Sequence, residues 1–257
     1  MIFENQKSAM DQLKQLGQSD RHSVMIEGLE GCGKTTLAQT YKHLVACSDF
    51  TLVEPNVQAL RNAIDSCYNL STKSLICIEN LDSGVAAASY TILKFLEEPA
   101  ENIYIVVTCR NRYRIPDTII SRSTVVTIDP PTTQSIIEYV DYKYPDEGIK
   151  SHSLFRCIKT FSDVDRVAQM NKDQIDYFQT FSHLDFSESV SNMAWKLMHY
   201  PDNTDLYIPF VIRYIMNLTH NTHVHRCGVE CLDDLSTGRI AAHAVVSKFC
   251  MDLKYTE

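Results

Sequence analysis

Residues 28–35 read GLEGCGKT, and they satisfy the pattern G-x-x-x-x-G-K-[ST] at every fixed position. Their surroundings decide the fold. Ser23–Glu27 (SVMIE) before the loop is a short apolar run of strand character, and Thr35–Ala46 (TTLAQTYKHLVA) after it has helical spacing. A strand, a glycine loop and a helix in that order offer backbone N–H groups and the positive end of a helix to an anion. Gly28, Gly31 and Gly33 let the backbone approach phosphates, with Cys32 and Thr36 carried in the same cradle. Lys34 can reach the outer phosphates and the Thr35 hydroxyl suits a magnesium ion, so the stretch predicts a site for ATP with Mg2+. Cys32 reads as a small filler of the loop rather than a reactive thiol.

Four further segments have strand character: Phe50–Val53, Ser74–Glu79, Ile103–Thr108 and Thr124–Ile128. Three are continuously apolar or β-branched, as in a parallel sheet covered on both faces. Helical patterns at Val57–Tyr68 and Ala86–Glu98 separate them. This alternation predicts an α/β domain with a parallel sheet, flanking helices and a ligand at the carboxyl ends of the strands. Asp129-Pro130-Pro131 closes it, and the pattern beyond is nearly all helical, over 132–143, 152–160, 163–178 and the stretches VSNMAWKLMHY, LYIPFVIRYIMNLTH and GRIAAHAVVSKFCMDL. The reading is therefore a nucleotide-binding domain at 1–130, a small helical domain at 131–180 and a C-terminal helical domain at 181–257.

The end of the third strand qualifies this picture. LICIENLDSG (75–84) places Glu79-Asn80 where many ATPases carry Asp-Glu, one acid for the metal and one to activate water. Glu79 is one methylene longer than Asp and can still hold a magnesium-bound water. Asn80 is an amide, able to orient water but not to take its proton at neutral pH. Slow hydrolysis follows as the expectation, since positioning carries much of phosphoryl transfer. Asp82 is either a substitute base or a helix cap.

The chain has 257 residues, 44% hydrophobic and 22% charged, with a formal net charge of −8. Such a balance argues against a protein that grips DNA with its whole surface, so any nucleic-acid contact must use a local patch or a shared assembly. Nine scattered cysteines suit free thiols in a reducing cytoplasm. No apolar run is long enough for a membrane span, which needs about 20 residues, and the polar, amphipathic N-terminus MIFENQKSAMDQL is no secretory signal.

ILKFLEEP (92–99) and IPDTIISRS (115–123) closely resemble segments of the bacterial clamp-loader subunits, AAA+ proteins of the delta-prime and gamma/tau kind that open sliding clamps for DNA polymerase. RHSVMIEGLEGCGKTTLA and VEPNVQALRNAI (53–64) look like the same family's opening segments, so the resemblance covers about the first 130 residues in the family's order. It implies an AAA+ domain, a helical lid and a collar-like oligomerisation domain. It also implies partners: other clamp-loader subunits, a sliding clamp and primer–template DNA.

In that resemblance Arg122 corresponds to the arginine finger, projecting into a neighbour's ATP site, where a guanidinium can neutralise charge developing on the γ-phosphate. Its alternative is a solvated arginine after a helix. Thr108 falls in the region that senses the γ-phosphate or is simply a strand residue, and Arg110 stands where the family often has a small polar residue. Arg166 in FSDVDRVA (161–168) is the candidate for the second sensor arginine. The chain departs from the family in lacking the four-cysteine zinc module, in Ser123 where Cys is usual, and in a short C-terminal region. A degenerate acid box beside a retained finger resembles delta prime, a stator, whereas the intact phosphate loop resembles a working ATP-binding subunit. A compact chain with both traits would suit a phage-encoded loader. An unrelated P-loop ATPase such as a helicase loader is the alternative if the LEEP and ISR matches are accidental.

His220, His223, His225, Cys227 and Cys231 lie close together in HNTHVHRCGVEC (220–231). They are zinc-ligand types in a spacing of no standard finger, and are either ligands or polar residues beside a helix end.

Overall fold

The computed structural model describes residues 2–170 apart from 20, 69–71, 85, 98, 100–101, 146 and 152, and then 208–210, 212–213, 215–216, 222–237 and 242–254. It divides into two compact units, Met1–Tyr142 with Thr160–Ser162, and Lys143–Lys159 with Asp163–Glu257.

The first unit is built on five parallel strands, β1 (Ser23–Glu27), β2 (Asp49–Val53), β3 (Ser74–Ile78), β4 (Ile103–Cys109) and β5 (Thr124–Thr127), in the spatial order β2-β3-β4-β1-β5. Its helices are α1 (Lys7–Leu16), α2 (Lys34–Leu44), α3 (Val57–Tyr68), α4 (Ala86–Glu97), the short α5 (Asp117–Ile120) and most of α6 (Thr133–Lys143). Side chains alternate across a strand, so each central strand feeds two cores. Met25, Ile76, Ile78, Ile105 and Val107 join Leu60 of α3, Ile92 and Phe95 of α4 and Ile119 of α5 on one face. Val24, Ile26, Leu75, Cys77 and Val106 join Leu13 of α1 and Leu37 and Tyr41 of α2 on the other. This double burial is why the central runs are continuously apolar, whereas edge strand β2 exposes alternating and adjacent residues.

Three features differ from the sequence reading. The polar N-terminus contains α1, whose Ala9, Met10 and Leu13 are buried under the sheet. Residues expected as one helix at 152–160 instead form 3-10 turns at Ile149–Ser151 and Ser153–Cys157. The helix expected at 163–178 starts earlier, as α7 (Phe161–Ala168), and residues from 171 onward in that prediction lie outside the described ones.

In the second unit, residues 208–210, 212–213 and 215–216 are helical, followed by α8 (Thr222–Thr237) and α9 (Ala242–Lys254). α8 and α9 pack together through buried Val224, Cys227, Cys231, Val245, Phe249 and Cys250. A Cβ on Gly228 would run into the side chain of Met216, which would have to shift to admit it. The stretch VSNMAWKLMHY and the domain boundary at 180 lie outside the described residues. Among the described residues, no helix is long and apolar enough to cross a membrane.

Candidate functional site

The phosphate loop leaves β1 at Glu27 and enters α2 at Lys34. Gly31 and Gly33 both hold left-handed backbone, at φ 71° and 97°, with Gly33 as the N-cap of α2. Space enforces the same choice. A Cβ on Gly33 would strike the Gln6 amide, and one on Gly31 would come 2.8 Å from both Thr160 Oγ1 and Ser162 Oγ. The loop is stapled from behind: Gln6 Nε2 donates to the Cys32 carbonyl at 3.1 Å, and Phe161 N donates to the Gly31 carbonyl at 2.9 Å. Gln6, 1% exposed, was missed in the sequence because its contact spans 26 residues and no local pattern marks it.

Cys32 is fully buried with Sγ under Gly28, and burial raises its thiol pKa, so its side chain is packing and only its backbone faces loop chemistry. Lys34 is also buried. Burial lowers its pKa, and its Nζ donates to the carbonyls of Gly28 and Leu29 at 2.9 Å each. Thr35 Oγ1 donates to Glu79 Oε1 at 2.6 Å, across 44 residues of sequence. Glu79 is fixed in turn by donating its N–H to the Val53 carbonyl at 2.9 Å. A hydroxyl and a carboxylate converging beside a phosphate loop form the hard oxygen donor set that magnesium takes, so these two residues fit the ion. Thr36, the next residue of α2, accepts with its carbonyl from the Thr40 hydroxyl at 3.0 Å.

Asn80 takes left-handed backbone, φ 45° and ψ 54°. Asparagine tolerates that region better than glutamate, so the backbone here selects the amide. Its N–H donates to Thr108 Oγ1 at 2.9 Å, while its Oδ1 is buried and has no hydrogen-bond partner among the described residues. An acceptor left open beside Glu79 can orient a water but has no basic lone pair with which to deprotonate it. Thr108, 1% exposed, uses its hydroxyl to join strand ends, accepting from Asn80 and donating to the Ile78 carbonyl at 3.4 Å. Asp82 lies within the 3-10 turn Leu81–Ser83, not at its cap, and its buried carboxylate accepts the N–H groups of Arg110 at 3.1 Å and Asn111 at 3.3 Å.

Arg122 belongs to the other edge of the sheet. Ser123 Oγ meets Ser23 Oγ at 2.9 Å, and Thr124 pairs with Val24, so Arg122 stands by the amino end of β1 while the phosphate loop leaves its carboxyl end. Its guanidinium donates to Glu97 Oε1 and to the Thr118 carbonyl, both at 2.8 Å. The fold thus brings Lys34, Thr35, Glu79, Asn80 and Thr108 to one edge and keeps Arg122 away from them. Arg166 lies in the second unit, 3.5 Å from Asp163, which also receives Arg213 at 2.7 Å. Of the histidine and cysteine cluster, Cys227 Sγ lies 3.4 Å from His223 Nε2 and Cys231 faces the Val245 carbonyl. Among the described residues no three such side chains gather to hold a metal, and His220 lies outside them.

Residues 53–132 match the family described as DNA polymerase III, delta subunit. The chain is 32% identical over 94 residues to DNA polymerase III subunit delta' of Bacillus subtilis (strain 168), a match covering 37% of this chain and 29% of the relative. It is 24% identical over 158 residues to DNA polymerase III subunit gamma of Buchnera aphidicola subsp. Acyrthosiphon pisum (strain APS), covering 50% of this chain and 44% of the relative. The matches therefore span less than half the length of either relative. Among solved structures, a DNA polymerase III gamma subunit-related protein of Thermotoga maritima superposes with a TM-score of 0.58 at 14% identity, covering 96% of this chain and 99% of the other. A Thermotoga maritima RuvB mutant gives 0.52 at 12% identity, covering 83% and 85%.

Proposed function

We infer that this chain has a clamp-loader family role, supported by its sequence resemblance to such subunits and by an AAA+ type of fold, a parallel five-stranded sheet with flanking helices and a helical C-terminal region. We propose that it is an ATP-binding subunit of a sliding-clamp loader acting in DNA replication in the cytoplasm, with other loader subunits, a clamp and primer–template DNA as partners. A domain at 1–130, a lid at 131–180 and a collar-like domain at 181–257 are part of the same proposal.

One observation carries the reading: the phosphate loop, Thr35 and Glu79 converge at one sheet edge, while Arg122 is presented at the opposite edge, where it cannot serve its own loop. Bound ATP would supply the phosphates and magnesium their charge balance. Loop N–H groups and Lys34 would hold the outer phosphates, and the Thr35–Glu79 pair would hold the ion. Asn80 would orient a water without deprotonating it, so the residue set favours retention of ATP over rapid turnover. Arg122 would serve a neighbouring subunit.

A stator that holds nucleotide statically is the second reading, favoured by Asn80 alone. Fluorescent ATP binding and steady-state turnover, measured for the chain by itself and then with partner subunits, clamp and primed DNA, separate them. Magnesium-dependent binding with turnover that rises on assembly supports the first. Binding without turnover in the assembly supports the stator, and absence of binding overturns both.

A further inference from the structure

The phosphate loop carries an acid. Glu30 sits between Leu29 and Gly31, and its carboxylate adds negative charge to the loop, a charge that opposes a bound anion. Its field also reaches the Lys34 amine, whose charged form it favours, as does that of Asp82. Arg110 answers that charge. Its Nη1 donates to Glu30 Oε2 at 3.4 Å, and its Nε lies 4.0 Å from Asp82 Oδ2. The backbone of Arg110 is held in place independently, because the same Asp82 carboxylate, 1% exposed, accepts the N–H groups of residues 110 and 111. A chain of alternating charge, Asp82–Arg110–Glu30, thus ties together the loops after β3 and β4 and the phosphate loop. The guanidinium side chain is itself 23% exposed, enough to meet solvent and ligand at the rim of the site.

We propose that Arg110 is a positioning residue that neutralises Glu30 and so lets the loop accept the triphosphate of a nucleotide. This rests on the reading that the loop binds ATP, and it assigns to Arg110 a role through Glu30 rather than direct contact with the ligand. A chain with an acid on its phosphate loop needs a fixed counter-charge there, and arginine supplies one that stays protonated at any working pH.

The test is a titration of the full chain with a fluorescent ATP analogue and magnesium, for wild type, R110A, R110K, E30Q and the R110A/E30Q double variant. R110A should bind about fivefold more weakly at low salt. R110K should stay within roughly twofold of wild type, E30Q should bind as tightly or more tightly, and the double variant should recover to the E30Q value. Raising salt from about 50 mM to about 300 mM should shrink the R110A deficit. Three results would overturn the proposal: R110A binding like wild type, E30Q binding more weakly than wild type, or a double variant as weak as R110A alone, which would place Arg110 on the ligand or make it a structural strut. If wild type itself fails to bind the analogue, the nucleotide reading falls and this inference falls with it. A deficit that no variant shows, with wild type binding, removes only the role of Arg110. E30Q keeps the sign of the effect readable even if R110A does not fold.

Discussion

The loop at 28–35 and the loop at 79–84 face the same edge of one sheet, yet they have been treated differently by the sequence. The first keeps every group that binding a phosphate requires: glycines in left-handed backbone, a buried lysine and a threonine within 2.6 Å of a carboxylate. The second has a carboxylate, Glu79, followed by an amide, Asn80, in a left-handed conformation that suits asparagine. Binding is done by backbone geometry and charge; proton transfer depends on the identity of one atom. In the proposed reading the site holds its ligand without a base to turn it over.

Four experiments test that contrast. Lys34→Ala should have the largest effect, weakening ATP binding by about a hundredfold, because it removes the buried charge proposed to hold the phosphates; isothermal titration reads it directly. If affinity barely changes, the loop is not the binding element. Next, Glu79→Ala should raise the magnesium needed for half-maximal ATP binding by roughly tenfold while leaving magnesium-free binding nearly intact. Equal losses with and without the ion would place Glu79 in structure alone.

Asn80→Glu tests the second loop. We expect turnover to rise by about tenfold, less than the 10²–10⁴-fold of a well-placed base, since the left-handed backbone misdirects the longer side chain. The same change should cost about 1 kcal/mol of stability in denaturant melts, as should Asn80→Ala, while Asn80→Gly should cost little. A glycine variant as unstable as the alanine variant would locate the value of Asn80 in its side chain. The smallest effect belongs to Arg122→Ala, which should leave the isolated chain's ATP affinity within roughly twofold of wild type, because the residue is at the far edge of the sheet. In an assembled complex the same variant should slow turnover. Loss of binding by the isolated variant would return Arg122 to its own site.

Much of this contrast was legible from residues alone. The loop motif is contiguous, and its geometry follows from glycine's freedom and the helix that begins at Lys34. The strands were legible because Ser74–Ile78 and Ile103–Cys109 are continuous apolar runs, the mark of burial on both faces. Asn80 against Glu is read from a single letter. By contrast, α1 was hidden in a polar stretch whose buried stripe is only Ala9, Met10 and Leu13. Asp82 read from the sequence as either a base or a helix cap, and its hold on the backbone N–H groups of residues 110 and 111 carried no local signal.

Residue chemistry alone sets what is local: which residues can take left-handed backbone, which carry charge, which side chain can accept a proton, and where apolar runs demand burial. What meets what was left to the folded chain. It inserted β4 between β3 and β1, set Thr108 under Asn80, closed Thr35 onto Glu79, stapled the loop with Gln6 and sent Arg122 to the opposite edge. The reason is physical. Backbone preference and side-chain chemistry act over a few residues, whereas strand order and the contacts that depend on it are fixed by the shared burial of two apolar cores, a property of the whole sheet that no segment carries alone.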